Sequence, residues 1–301
     1  MKNNINQEII SSILKASQRA AINAYHFIGT GLKNEADDAA VKGMREILNQ
    51  TNFRGKVVIG EGEKDKAPML YIGEELGTSG VVEFDIAVDP LEGTNLCAND
   101  LPNSLTTLAI APKGSLLSAT EFYMEKLASA EVYEDGVLSL SKTIEENIKA
   151  LARYKEKKAS EITVTMLDRP RHKEIISRIR KTGAKVALIS DGDIYGVLST
   201  HEMFGEADLY YGQGGAPEGV LAAVAIKAMG GFMEGRLIKE GEKTPILKLN
   251  DMVKQDGVFI ATGVTGKGFL ERVQELHNGK YFTESVIISA HGVQFIENYD
   301  V

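Results

Sequence analysis

Between Ile9 and Phe27 the apolar residues Ile9, Ile10, Ile13, Leu14, Ala20, Ala21 and Ala24 recur at helical spacing, with the small Ser17 on the same stripe. That spacing predicts a long amphipathic helix, which runs out at Ile28-Gly29-Thr30-Gly31. Residues 36–49 repeat the pattern through Ala40, Val41, Met44 and Leu48, and Asp37 and Asp38 stand at its start, where a helix dipole favours negative charge. Apolar runs at 56–63, 81–89 and 104–112 are punctuated by glycine or proline and read as strands. The first half of the chain is therefore expected to be α+β.

From 141 to 160 the chain turns polar and lysine-rich, which predicts a surface helix leading to a linker. The expected division is thus into 1–158 and 159–301. Beyond it the pattern alternates: strand 162–167, helix 171–183, strand 185–191, helix 193–200, strand 207–212, helix 216–230. Alternation of this kind predicts βαβ units with right-handed crossovers and a largely parallel sheet, whose ligands gather at the strand carboxyl ends. The second half is expected to be α/β.

Composition narrows the function. With 43% hydrophobic and 25% charged residues among 301, the chain reads as an ordinary globular protein. Asp plus Glu at 42 exceeds Lys plus Arg at 34, and the net charge of −8 argues against nucleic acid as a partner. Polar residues break every apolar stretch, so no membrane span is expected. The single Cys97 makes no internal disulfide, which points to a cytoplasmic location, and it reads as a small buried filler.

The strand at 81–89 runs into Asp89-Pro90-Leu91-Glu92-Gly93-Thr94. Side chains alternate along a strand, so Asp85 and Asp89 are expected on one face and Phe84, Ile86 and Val88 on the other. Pro90 has no N–H to donate and is expected to stop the ladder. Two carboxylates held this close repel unless a cation joins them, and a hard divalent ion is the simplest answer. Asp37, Glu61 and Glu63 of the Gly-Glu-Gly-Glu turn, and Glu218 of Gly-Gly-Ala-Pro-Glu-Gly offer further carboxylates. Taken singly, each also fits a plain role as a helix-start or solvated charge.

The stretches at 60–77 (Gly-Glu-Gly-Glu onward), 85–94, 123–127 (Tyr-Met-Glu-Lys-Leu), 169–172 (Arg-Pro-Arg-His), 191–193 (Asp-Gly-Asp) and 211–219 together resemble the class II fructose-1,6-bisphosphatases. These are a branch of the lithium-sensitive, metal-dependent sugar and inositol phosphatases. The hexapeptide indicates the superfamily; the 60–77 and 214–219 stretches select the branch. The resemblance implies a layered sugar-phosphatase fold, hydrolysis of the 1-phosphate of fructose 1,6-bisphosphate in gluconeogenesis, and a homo-oligomer, dimer or tetramer. It implies Mg²⁺ or Mn²⁺ held by Asp37, Glu61, Asp89, Glu92 and Glu218. Thr94, activated through Asp37, would orient or deprotonate the attacking water. Substrate would be contacted by Glu92, Gly93, Thr94, Tyr123, Arg169, Pro170, Arg171, Asp191, Gly192, Asp193 and Gly215.

The chemistry of those residues agrees. Arg171 can grip a phosphate bidentately and Arg169 can add charge, while His172 reads as a helix-start polar residue. Asp191 and Asp193 can accept from sugar hydroxyls, although one of them would equally serve as an N-cap for the helix at 193. Lys33 is a further candidate phosphate contact. The connection between Leu237 and Ile246 is shorter than in many family members, and the segment after Thr265 resembles the family weakly. Three other readings compete: an inositol monophosphatase or sedoheptulose-1,7-bisphosphatase using the same metals, a dinucleotide loop at Gly212–Gly219, in which Pro217 stands where a glycine is needed, and a non-catalytic sugar-phosphate sensor.

Overall fold

The computed structural model describes residues 5–62, 69–118, 122–277 and 279–299. The chain forms two compact units, Met1–Thr120 with Val253–Val301, and Glu121–Met252.

The first unit opens with α1 (Gln7–Tyr25), capped by the Asn6 side chain, which accepts from the Ile9 amide at 2.9 Å. It is followed by α2 (Lys33–Gln50), β1 (Gly55–Ile59), β2 (Glu75–Leu76), β3 (Phe84–Glu92), α3 (Thr94–Ala98) and β4 (Leu105–Pro112). The second unit contains β5 (Tyr123–Ser129), α4 (Ile144–Tyr154), β6 (Thr163–Leu167), α5 (Lys173–Lys181), β7 (Lys185–Ile189), α6 (Asp193–Leu198) and β8 (Leu209–Gly215). It closes with α7 (Ala216–Ala228), β9 (Phe232–Lys239), β10 (Glu242–Lys243), β11 (Leu247–Lys248) and α8 (Leu249–Met252). The chain then returns to the first unit through β12 (Val258–Gly263), β13 (Gln274–Glu275), β14 (Tyr281–Ser289) and β15 (Gly292–Asn298).

Among the described residues the first unit builds an eight-stranded sheet in the order β13-β14-β12-β4-β3-β1-β2, with β15 on β14. Only β1 and β3 run parallel in it; the other pairs are antiparallel. Ile13 of α1 and Met44 and Leu48 of α2 share one core with Phe84, Ile86, Val88, Leu108, Ile110 and Ile260 of the strands. Each fully buried Leu or Ile there is worth about 1.5–3 kcal/mol. Ser17 interrupts the apolar stripe for a reason: its buried hydroxyl lies 2.7 Å from both Thr106 Oγ1 and Thr262 Oγ1, and Thr262 continues to Ser285 at 2.9 Å. Buried hydroxyls survive there because they satisfy one another. Cys97 is wholly buried, and burial pushes its thiol up to about 11, in keeping with a packing role.

Among its described residues the second unit has a seven-stranded sheet, β10-β9-β5-β8-β6-β7, with β11 on β9. Strand β6 pairs parallel with both β7 and β8, as the alternation predicts. The departure is β5, contributed from before α4, which inserts antiparallel between β8 and β9. The sheet is therefore mixed rather than largely parallel. The division expected at 158 and 159 falls inside this unit. The lysine-rich segment does form a helix, with a capping box between Thr143 and Glu146. Its inner face, Ile144, Ile148 and Leu151, joins Val164, Met166, Ile176 and Ile179 in one core, so the helix belongs to the second unit. The described elements of the segment after Thr265 add β13, β14 and β15 to the first sheet. No helix among the described residues is long and apolar enough to cross a membrane.

Candidate active site

The hexapeptide departs from expectation at Pro90. Strand β3 does not stop there but continues to Glu92. On one side β1 pairs with it only as far as Ala87; on the other, the pairing with β4 goes from Asp89↔Thr107 to Glu92↔Leu105, three steps against two. That is a bulge with one extra residue, and Pro90 sits where no ladder needs its missing N–H. The bulge has a chemical consequence. Residues three apart in a regular strand face opposite ways, yet the Asp89 and Glu92 carboxylates each offer an oxygen within 4.8 Å of the other. The Leu91 amide donates to Asp89 Oδ1 at 3.2 Å and steadies it. Asp85 shares the face of Asp89, in unbroken register with β4, and is a buried structural acceptor for the Leu116 amide at 3.0 Å.

Gly93 follows at φ 75°, in the left-handed region, and allows α3 to begin at once with Thr94. Beside this, β1 and β3 run parallel with Ile59 opposite Ala87, so Glu61 and Asp89 each lie two residues past that pair at neighbouring strand ends. Asp37, in the first turns of α2, shares a hydrogen bond with Glu61. Burial, with help from the Asp38 charge, pushes Asp37 up to about 6, against the opposing effect of Glu61. Asp37 and Glu61 thus meet beside the exit of β1, and Asp89 and Glu92 meet at the end of β3 just before Gly93 and Thr94; Asp37 and Glu61 are not in the group of described carboxylates close enough to share an ion with Asp89 and Glu92. Glu63 lies outside the described residues, and Lys33 is exposed at the start of α2.

In the second unit the remaining candidates meet at the carboxyl ends of β6, β7 and β8. Tyr123 opens β5 directly opposite Gly215, the last residue of β8. The Arg171 guanidinium lies over the Tyr123 ring, 5.1 Å from its centroid, and donates through Nε and Nη2 to the Gln213 carbonyl at 3.0 and 2.6 Å. Pro170 starts a short 3₁₀ turn between the two arginines, and Arg169 pairs with Asp191 at 3.1 Å. Gly192, at φ 88°, turns β7 into α6, whose first residue is Asp193. The N-cap alternative for the acids fails: Gly192 is the cap and no side chain serves it. Gly215 caps α7, which carries Glu218. The Gly212–Gly215 stretch belongs to β8 itself, which leaves no loop for a dinucleotide.

A model of the bacterial fructose-1,6-bisphosphatases, glpX-encoded, matches residues 7–299. The chain belongs to this family. A D-fructose 1,6-bisphosphatase class 2/sedoheptulose 1,7-bisphosphatase of Prochlorococcus marinus (strain MIT 9313) is 40% identical over 298 residues, covering 97% of this chain and 89% of that protein. The protein of the same description from Synechococcus elongatus (strain ATCC 33912 / PCC 7942 / FACHB-805) is 40% identical over 316 residues, covering 92% and 91%. An inositol monophosphatase structure from Anabaena (Nostoc) sp. PCC 7120 aligns at a TM-score of 0.35 and 12% identity, over 67% of this chain and 73% of that one, too distant to inform any detail.

This class II phosphatase presents the donor set that a hard divalent cation takes. All candidates are carboxylates, Asp89 and Glu92 stand close enough to share an ion, and Glu218 Oε2 is buried with no hydrogen-bond partner among the described residues. Burial drives the Glu218 pKa upward; Lys126 opposes this and Asp193 and Asp191 add to it. A buried, unpartnered carboxylate oxygen is costly until positive charge reaches it.

Two residues of this phosphatase escaped the sequence reading. One is Lys126, wholly buried in β5. The other, His172, does stand at the start of α5 as its N-cap, but its side chain is a buried tie, 2% exposed. Its Nδ1 donates to the Leu167 carbonyl at 2.7 Å and its Nε2 accepts from the Gln213 amide at 2.9 Å, which fixes a neutral ring. It joins the end of β6 to the strand residue that holds Arg171. Burial, first among the causes, lowers its pKa from the ordinary 6.5. The unfolded ring therefore takes up a proton where the folded one does not. Its stabilising contribution is complete above about pH 6.5 and declines as the pH falls below that value. His172→Ala should cost roughly 2 kcal/mol or more in urea unfolding at pH 7.5, since two buried backbone groups lose partners. It should also flatten the loss of stability as the pH falls below about 6.5; an unchanged midpoint would remove this role.

Proposed function

We propose that this chain hydrolyses the 1-phosphate of fructose 1,6-bisphosphate, giving fructose 6-phosphate and inorganic phosphate. The observation that carries the reading is the bulge after Asp89, which turns the Asp89 and Glu92 carboxylates to one side in a chain of this family. In this reading Asp37, Glu61, Asp89, Glu92 and Glu218 hold Mg²⁺ or Mn²⁺. Such an ion, when bound, supplies Lewis-acid charge to the phosphate and to water. Thr94, activated through the Asp37 carboxylate, orients or deprotonates the attacking water through its hydroxyl. Arg171, Arg169 and Tyr123 bind the phosphate that does not react, and the Asp191–Asp193 turn and Gly215 border the sugar. The reading takes the chain as cytoplasmic and as a symmetric homo-oligomer.

The double description of the relatives favours a second substrate, sedoheptulose 1,7-bisphosphate, through the same chemistry. Phosphate release from a panel of sugar phosphates at saturating Mn²⁺ tests both. The expected order puts fructose 1,6-bisphosphate above inositol 1-phosphate by at least about tenfold in kcat/KM, the effect of roughly 1.4 kcal/mol of transition-state binding. The reverse order would sink the sugar-bisphosphate reading, and a higher value for the seven-carbon substrate would make that the principal one.

A further inference from the structure

Lys126 lies in the middle of β5, in a strand whose neighbours Met124, Leu127 and Ala128 are wholly buried, and it is itself 0% exposed. A lysine is almost never this deeply buried unless it is paired. Its ammonium contacts Asp193 Oδ2 and donates to the Gly215 carbonyl at 2.7 Å. The other oxygen of Asp193 takes the hydroxyl of Tyr210, a residue that is also 0% exposed. The Asp193 carboxylate, 6% exposed, therefore has both oxygens committed to the interior. It is placed to anchor its turn, while the half-buried Asp191 stands nearer the surface beside Arg169.

We propose that Lys126 is a positioning residue for the sugar bisphosphate: by tying the Asp193 carboxylate to the Gly215 carbonyl, its ammonium fixes the Asp191–Asp193 turn after β7 at a set distance from the end of β8. Tyr210 locks the same carboxylate from the other oxygen. Lys126 touches no substrate in this role. It determines where Asp191, Gly192 and Gly215 stand, and an error of an ångström in such groups weakens binding of a ligand that must meet both. A buried lysine suits the task because its three donors can reach two acceptors on different strand ends while its stem packs against Gly219. The inference rests on the proposed function, because it assumes that these two strand ends border the sugar.

The test is steady-state kinetics of the full-length protein on fructose 1,6-bisphosphate with Mn²⁺ supplied, for wild type, Lys126→Met and Tyr210→Phe. Lys126→Met is expected to raise KM at least about tenfold with kcat within about threefold, the split that lost substrate positioning gives and a general loss of folded protein does not. Tyr210→Phe deletes one hydroxyl and is expected to raise KM about threefold in the same direction. It carries the test alone should Lys126→Met fail to fold by circular dichroism. An unchanged KM in the folded variants, or a fall in kcat at constant KM, would overturn the positioning role while leaving the proposed function intact. A wild-type chain inactive on fructose 1,6-bisphosphate would overturn the proposed function and this inference with it.

Discussion

Asp89→Asn is expected to lower Mn²⁺-dependent phosphate release from fructose 1,6-bisphosphate by about 100-fold to 10,000-fold, because several kcal/mol of transition-state stabilisation rests on a correctly held divalent ion and each 1.36 kcal/mol is a factor of ten. The substitution is nearly isosteric, so its effect reads charge rather than packing. Asp89 is half-buried, at the start of the bulge, and its Oδ1 already accepts from the Leu91 amide. An asparagine can keep that bond through its amide oxygen, and the fold should survive with a thermal midpoint close to that of wild type. The check is phosphate release across a Mn²⁺ titration. Retained activity with the same Mn²⁺ response would remove Asp89 from the ligands.

Thr94→Ala is expected to lower kcat by about 100-fold to 10,000-fold with KM little changed, the range over which a positioned proton-transfer group contributes. Thr94 is half-exposed at the first position of α3, directly after the left-handed Gly93. Alanine is a good helix former there, so loss of the hydroxyl dominates. Thr94→Ser keeps the hydroxyl and should retain activity within about tenfold of wild type. Single-turnover phosphate release separates the chemical step from product release. An alanine variant as fast as wild type would leave the attacking water to other groups.

The alternation of apolar and polar positions made most elements legible, since helix and strand periods differ and the turns carry glycine and proline. What it left out was non-local. Pro90 looked like a strand terminator because the rule for proline assumes two hydrogen-bonded neighbours; here β1 pairs only to Ala87 and β4 bulges. The same bulge, invisible in a period-two reading, is what turns Asp89 and Glu92 together. The lysine-rich stretch before residue 160 suggested a linker because composition averages over both faces of α4, while Ile144, Ile148 and Leu151 hide in the core. Strand β5 lay outside the alternating run, and nothing local says that it inserts between β8 and β9.

The candidate residues came from motifs, and two roles depended on depth. Asp193 read as a partner for sugar hydroxyls, and its oxygens are taken by Lys126 and Tyr210. Lys126 did leave a trace, a lysine enclosed by Met124, Leu127 and Ala128, which is a polar residue where a buried strand should have none. His172 left less, because a histidine beside arginines near a helix start has an ordinary surface explanation.

The most direct measurement is the binding of Mn²⁺ itself by the full-length protein, followed by the electron paramagnetic resonance signal of the free ion. Wild type is expected to remove at least one Mn²⁺ per chain from solution in a saturable manner, and Asp89→Asn should weaken that binding at least about tenfold, as loss of one anionic oxygen ligand requires. Superimposable titrations for wild type and Asp89→Asn would contradict the claim that the carboxylate brought round by the β3 bulge holds the metal.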